Sequence, residues 1–118
     1  MFINLTNHPS ALWDENQLAA ARQYGEIEDL SFPDVLPTAT AAEVQQLADH
    51  YTSLIIEMAG SKPAVVHVMG EMTFTTAVVS RLKAEGIKCV ASTTERNTIT
   101  MPDGKKVSEF RFVQFREY

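Results

Sequence analysis

The sequence predicts a single α/β domain built on a mainly parallel sheet, and three observations predict it. Short apolar runs alternate with segments of helical periodicity, glycines and prolines fall at the junctions, and Ala64 to Met69 is a nearly continuous apolar run broken only by His67. Strands alternating with helices imply right-handed crossovers, parallel strands and helices on both faces, a three-layer arrangement. A run apolar at successive positions is the pattern of a central strand covered on both sides. With 118 residues the chain has material for one core, so residues 1–118 are expected to form one domain.

The elements follow in order. Phe2 to Thr6 is short and apolar and runs into the turn-forming Asn7-His8-Pro9-Ser10, which makes it the first strand. Asp14 to Tyr24 has acids in its first turn and stops at Gly25, the pattern of a short helix. Glu26 to Ser31 is a second short strand, after which Phe32-Pro33 and Pro37 forbid regular structure. Thr40 and Glu43 have capping-box spacing. Val44, Leu47, Ala48, Tyr51, Ile55 and Met58 then recur on one helical face until Gly60. Ala64 to Met69 is the third strand, with Gly70-Glu71-Met72-Thr73 as its exit. Phe74, Ala77, Val78 and Leu82 mark a third helix closed by Gly86, and Ile87 to Ala91 is a fourth strand. Ser92 to Asn97 reads as a polar loop. Pro102-Asp103-Gly104 reads as the turn of a hairpin joining Thr98–Met101 to Val107–Phe115. Placing the first strand between the second and third gives the sheet order 2-1-3-4, with the hairpin extending the edge at the fourth strand.

Composition narrows the function. Hydrophobic residues at 45% and charged residues at 21% describe a globular chain rather than a disordered one. A formal net charge of −5 argues against duplex nucleic acid as a partner, though it leaves room for a small anion held by local donors. No apolar run is long enough to span a membrane, and the apolar start lacks the basic segment of a signal peptide. The lone cysteine, Cys89, permits no internal disulfide and reads as a packed strand residue, so a cytoplasmic location is expected. The three histidines lack metal-ligand spacing, and neither a dinucleotide fingerprint nor a P-loop is present, so no metal or cofactor is expected.

In an open α/β sheet ligands bind beyond the carboxyl ends of the strands, where strand order reverses. Here that crevice falls between the first and third strands. The first delivers Thr6, Asn7, His8 and Ser10, the third Gly70, Glu71 and Thr73, and the fourth Ser92, Thr93, Thr94, Glu95 and Arg96. Gly70 before a helix start suits a phosphate, or is an ordinary turn. The hydroxyls of Ser92, Thr93 and Thr94 with the forked cation of Arg96 suit a phosphodiester, or are a solvated loop capping its own backbone. His8 is placed for general acid or base chemistry, or is a turn residue bonded to backbone. Glu71 is a base, a ribose ligand or an electrostatic helix start. Trp13 stacks on a base or packs. His67, inside an apolar strand, and His50, on the polar side of a helix, read as structural.

These motifs, F-I-N-L-T-N-H-P-S (Phe2 to Ser10), V-M-G-E-M-T (Val68 to Thr73) and V-A-S-T-T-E-R (Val90 to Arg96), in a chain of this length, resemble small CRISPR-associated proteins. These are related to the Rossmann-like CARF domains, which sense cyclic oligoadenylate, and to the stand-alone ring nucleases. In element order the resemblance covers the whole chain. It implies a homodimer that binds cyclic oligoadenylate, the second messenger of type III CRISPR antiviral defence, and cleaves it to switch signalling off. By position, Asn7, His8 and Ser10 line one loop, Gly70, Glu71 and Thr73 the next, and Ser92, Thr93, Thr94 and Arg96 the last. In the implied reaction a ribose 2′-hydroxyl attacks its own 3′ phosphodiester and leaves a 2′,3′-cyclic phosphate. His8 would protonate the leaving oxygen, Glu71 would act as base and Arg96 would stabilise phosphoryl charge, without a metal. Two-fold symmetry suits an even ring, hence cyclic tetra-adenylate. Dimer surfaces are offered by the third helix and by the hairpin residues Phe110, Phe112, Val113 and Phe115. A non-catalytic sensor or sponge of the same fold, and a structural assembly subunit, are the alternatives.

Overall fold

The computed structural model describes residues 1–118. The elements are β1 (Phe2–Leu5), a short 3-10 turn (Ser10–Leu12), α1 (Glu15–Arg22), β2 (Ile27–Asp29), α2 (Ala41–Ala59), β3 (Val65–Val68), α3 (Met72–Ala84), β4 (Lys88–Thr100) and β5 (Lys106–Glu117). They form one mixed sheet of order β2-β1-β3-β4-β5. The pairs β1–β2, β1–β3 and β3–β4 are parallel, and β4–β5 is antiparallel. The expected order 2-1-3-4, with the hairpin beyond strand 4, is therefore the order found.

Successive strand residues face opposite sides of a sheet, and the two sides are filled unequally. Ile3, Leu5, Val66, Val68 and Cys89 face α2 and α3, where Val44, Ala48, Ile55, Phe74, Ala77, Val78 and Leu82 complete the main core. Burial pushes the Cys89 thiol up to about 11, as for a packed residue. Phe2 and Val90 face the other side, where Ala21 of α1 completes a much smaller cluster with Trp13 and Phe115 around it. Each large apolar side chain buried in this way contributes about 1.5–3 kcal/mol, so most apolar stabilisation lies on the α2/α3 side. The α1 side can therefore hold polar side chains, and Asn4, Thr6 and His67 are buried there.

The long helix α2 begins as its spacing predicts. The Thr40 hydroxyl oxygen accepts from the Glu43 backbone N–H at 3.1 Å, and the Glu43 carboxylate accepts from that of Thr40 at 3.2 Å. At the opposite end of the chain, the Tyr118 hydroxyl donates to the Val68 carbonyl at 2.6 Å, fastening the end of β5 to the carboxyl end of β3.

Two expectations are corrected. Ser92 to Asn97 is not a loop, because β4 runs unbroken through it and pairs with β5 from Val90↔Glu117 to Thr100↔Lys106. The predicted separate strand Thr98–Met101 is the far end of the same β4. Polarity suggested a loop, but a two-stranded ribbon extending past the parallel sheet has solvent on both faces and needs no apolar alternation. Its threonines and Ile99 favour the extended backbone. The one irregularity lies between Thr93 and Thr94, where the register shifts.

Gly70, at the turn between β3 and α3, has its own packing reason. A Cβ there would lie 2.3 Å from the ring of Phe32, which packs edge-on against Phe74 at 5.2 Å. Gly70→Ala should therefore destabilise the fold by about 1–3 kcal/mol through overpacking. In a Phe32→Ala background the same change should cost little, a coupling that urea denaturation of the double-mutant cycle reads directly. Strictly additive costs would show that Phe32 is not what Gly70 makes room for.

Candidate functional site

A cleft of about 680 Å³ opens at the carboxyl edge of the sheet, a size suited to a small ligand. It lies at the reversal between β1 and β3, where open α/β sheets place ligands. Thr6, Asn7 and His8 enter from the end of β1, Trp13, Asp14 and Gln17 from the start of α1, and Met69 and Gly70 from the end of β3. Ser92 and Thr94 of β4 and Phe110 and Phe112 of β5 close the far wall, and His67 contributes from the sheet itself.

The sheet beneath the cleft carries a polar ladder. Parallel register places Asp29, Asn4 and His67 side by side on β2, β1 and β3. The Asn4 amide nitrogen donates to an Asp29 carboxylate oxygen and to the His8 backbone carbonyl, both at 2.9 Å. Both partners only accept, so the amide can point one way. Its oxygen then accepts from the Thr6 hydroxyl at 2.9 Å and lies 3.1 Å from His67 Nδ1. An amide oxygen cannot donate, so Nδ1 carries the proton and Nε2 presents a lone pair. Nε2 is buried and has no partner. Burial, with a smaller contribution from nearby His8, lowers the His67 pKa from 6.5 to about 4.

The same network shapes the β1 exit. The His8 N–H donates to Thr6 Oγ1 at 3.1 Å, and the His8 carbonyl also accepts from Trp13 Nε1 at 3.1 Å. The His8 ring is thereby left exposed at the cleft, and the half-buried indole of Trp13 is anchored beside it, meeting the His67 ring edge-on at 5.6 Å.

The residues expected at this rim divide into two groups. Asn7, His8, Trp13, Gly70, Ser92 and Thr94 line the cleft. Ser10, Glu71, Thr73, Thr93 and Arg96 do not. Ser10 ties the β1 exit to Asp29, through its N–H at 3.2 Å and its hydroxyl at 2.8 Å. Glu71 caps α3, accepting from the Thr73 and Phe74 backbone N–H groups at 2.7 and 3.1 Å and from the Thr73 hydroxyl. That hydroxyl, followed by the two backbone donors, holds the Glu71 carboxyl below its usual range. Thr73 faces a groove along α3 and α2. Thr93 donates to the Gln114 carbonyl at 3.2 Å. The Arg96 guanidinium lies along the ribbon, with two nitrogens 3.2 and 3.1 Å from Ser108 Oγ.

His67 is the lining residue that sequence reasoning set aside as structural. Its signal is a polar residue near the carboxyl end of an apolar strand, with Asn4 in the same situation on β1. The cleft wall contains no lysine or arginine, and its carboxylate is Asp14. No three His, Cys, Asp or Glu side chains converge as metal ligands, and no helix is long and apolar enough to cross a membrane.

Fold and cleft together define a mixed α/β domain, five strands and three α-helices around a carboxyl-edge site of polar and aromatic character. The chain belongs to the family described as uncharacterized protein MJ1673, which it matches over residues 1–116. No curated protein and no solved structure matches it.

The His67 environment predicts a pH dependence of stability. Between pH 6.5 and about 4 the unfolded chain takes up a proton that the folded chain refuses. Stability from this group is therefore full above pH 6.5 and falls toward 4, by about 3 kcal/mol in all. Replacing the ring by one that cannot titrate, His67→Phe, should remove about 2 kcal/mol from the stability lost between about pH 7 and about pH 5. Urea denaturation of both proteins at the two pH values checks this, with His8, His50 and Asp29 common to both. An unchanged loss would mean that His67 is protonated in the fold.

Proposed function

We propose that this chain is a Rossmann-like, CARF-related domain whose cleft binds an adenylate unit of a cyclic oligoadenylate, most naturally cyclic tetra-adenylate. The observation that carries this reading is the pairing of aromatic walls, Trp13, Phe110 and Phe112, with a polar floor at the carboxyl edge. A nucleobase has two apolar faces and a hydrogen-bonding edge, and stacking on aromatic rings contributes about 1–3 kcal/mol per base. The CRISPR-type resemblance of the three motifs that build this rim supports the choice of ligand.

In this reading the chain also cleaves the ring. The 2′-hydroxyl oxygen forms the new bond to phosphorus as the P–O5′ bond breaks, its own proton passes to a base or to water, and His8 protonates the departing O5′. Ser92, Thr94 and backbone N–H groups would meet the charge on the phosphoryl oxygens. Glu71 and Arg96 would have to leave their present partners to join. That observation, with the lack of a cation in the cleft wall, favours a second reading in which the domain binds the messenger without cutting it. A homodimer joined through the ribbon, where Phe110 is 66% exposed and Ile99, Val107 and Val113 are also exposed, would bring in a second copy of the site.

Trp13 is the only tryptophan, so its fluorescence reports this cleft alone. Incubation with cyclic tri-, tetra- and hexa-adenylate in EDTA should quench it. Chromatography and mass analysis should show linear products ending in 2′,3′-cyclic phosphate, fastest from the tetramer. His8→Ala should slow cleavage on the order of 10²–10⁴-fold while the quench persists. Quenching with intact rings would establish the binding module, and no quenching would end the cyclic oligoadenylate reading.

A further inference from the structure

The least satisfied polar atom beside the cleft is on its most buried ionisable side chain. His67 is 2% exposed and its Nε2 has no hydrogen-bond partner. Buried acceptors are normally paired by protein, ordered water or ligand, because leaving one unpaired is unfavourable. The surrounding rings of Phe2, Trp13 and Phe115 supply no donor, since the one N–H among them, Trp13 Nε1, is committed to the His8 carbonyl. The opposite ring nitrogen is held by the Asp29–Asn4 ladder, so the tautomer is set and Nε2 can only accept while the ring is neutral.

We propose that His67 Nε2 is the base-reading group of this cleft and accepts a hydrogen bond from the exocyclic amine of adenine. This rests on the nucleotide reading of the cleft and adds to it the chemical reason for adenine. Nε2 is closed to solvent in the free chain, so the base reaches it when the Trp13 ring, half-buried and edge-on to His67, gives up its bond to the His8 carbonyl and moves aside. The displaced indole then lies against the base face, with Phe110 and Phe112 on the same cleft. A site that only accepts rejects a purine with a carbonyl at that position, because two acceptors would face each other. It gains nothing from a purine bearing hydrogen there.

Nitrogen-15 histidine labelling of the full chain tests this without a mutation. Saturation with cyclic tetra-adenylate, and separately with adenosine 5′-monophosphate, should shift the His67 Nε2 resonance from that of a bare lone pair toward that of a hydrogen-bonded one. The unaltered chain should also prefer adenosine 5′-monophosphate over purine riboside 5′-monophosphate by about tenfold, one hydrogen bond's worth. His67→Phe keeps the ring packing and should lose the preference, whereas His67→Gln restores an acceptor and should recover part of it. If the ring binds while Nε2 is unmoved, or already hydrogen-bonded to water beforehand, this inference falls and the cyclic oligoadenylate reading stands. If the monophosphate shifts Nε2 but the ring does not bind, the inference stands and that reading falls. If neither binds, both fall.

Discussion

The hydrogen bonds of one amide, that of Asn4, hold the carboxyl edge of this sheet together. It joins β2 through Asp29, the β1 exit through the His8 carbonyl and the Thr6 hydroxyl, and β3 through His67. Asn4 is 1% exposed, and a buried amide is tolerated only when its donors and acceptor are matched. Here both amide hydrogens and the oxygen have partners, so the network rigidifies the edge. The position of the His8 carbonyl then anchors the Trp13 indole, and the direction of the Asn4 oxygen selects the His67 tautomer. Loop, aromatic wall and buried imidazole all take their geometry from this residue.

Such a network needs a place where apolar packing can be spared. The α2/α3 side of the sheet carries the large core, and the α1 side adds a small cluster around Phe2. The division follows from chain order: two helices cover one face, while the short α1 covers the other. The remainder of that second face is filled by Asn4, Thr6, His67, the indole and the aromatic rings of β5. The large apolar core and the buried polar network are thus separated by the thickness of one sheet.

What could be read in the sequence was local. The capping box at Thr40 and Glu43, the stripe from Val44 to Met58 and the run Ala64 to Met69 depend on spacings within one element, and each formed as its spacing required. The strand order also followed, because right-handed crossovers leave few arrangements. Side-chain direction at the rim was less accessible. Glu71 follows β3 and Arg96 follows the expected end of the fourth strand, but Glu71 turns back to cap its own helix and Arg96 is carried along a ribbon that polarity disguised as a loop. The Asn4–His67 bond joins residues 63 positions apart through register between strands, which no local spacing encodes.

The charge of the site bears on how it would recognise its ligand. A chain of net charge −5 with no lysine or arginine in the cleft wall draws little on long-range attraction for an anion. Discrimination has to come from short-range contacts: ring faces, an acceptor of fixed tautomer, and hydroxyls and backbone donors at the rim. Under the proposed function, those contacts would read a base better than a phosphate. On the ribbon, Arg96 lies against Ser108, Arg111 forms a loose exposed pair with Glu109 at 3.8 Å, and Arg116 stands opposite Ala91. An exposed pair of that length contributes little and is easily exchanged. In a single copy, then, the aromatic and acceptor groups lie in the cleft, while positive charge lies on the ribbon beside it. A cyclic ligand with several bases and several phosphates would engage both only where a ribbon and a cleft meet around the same ring.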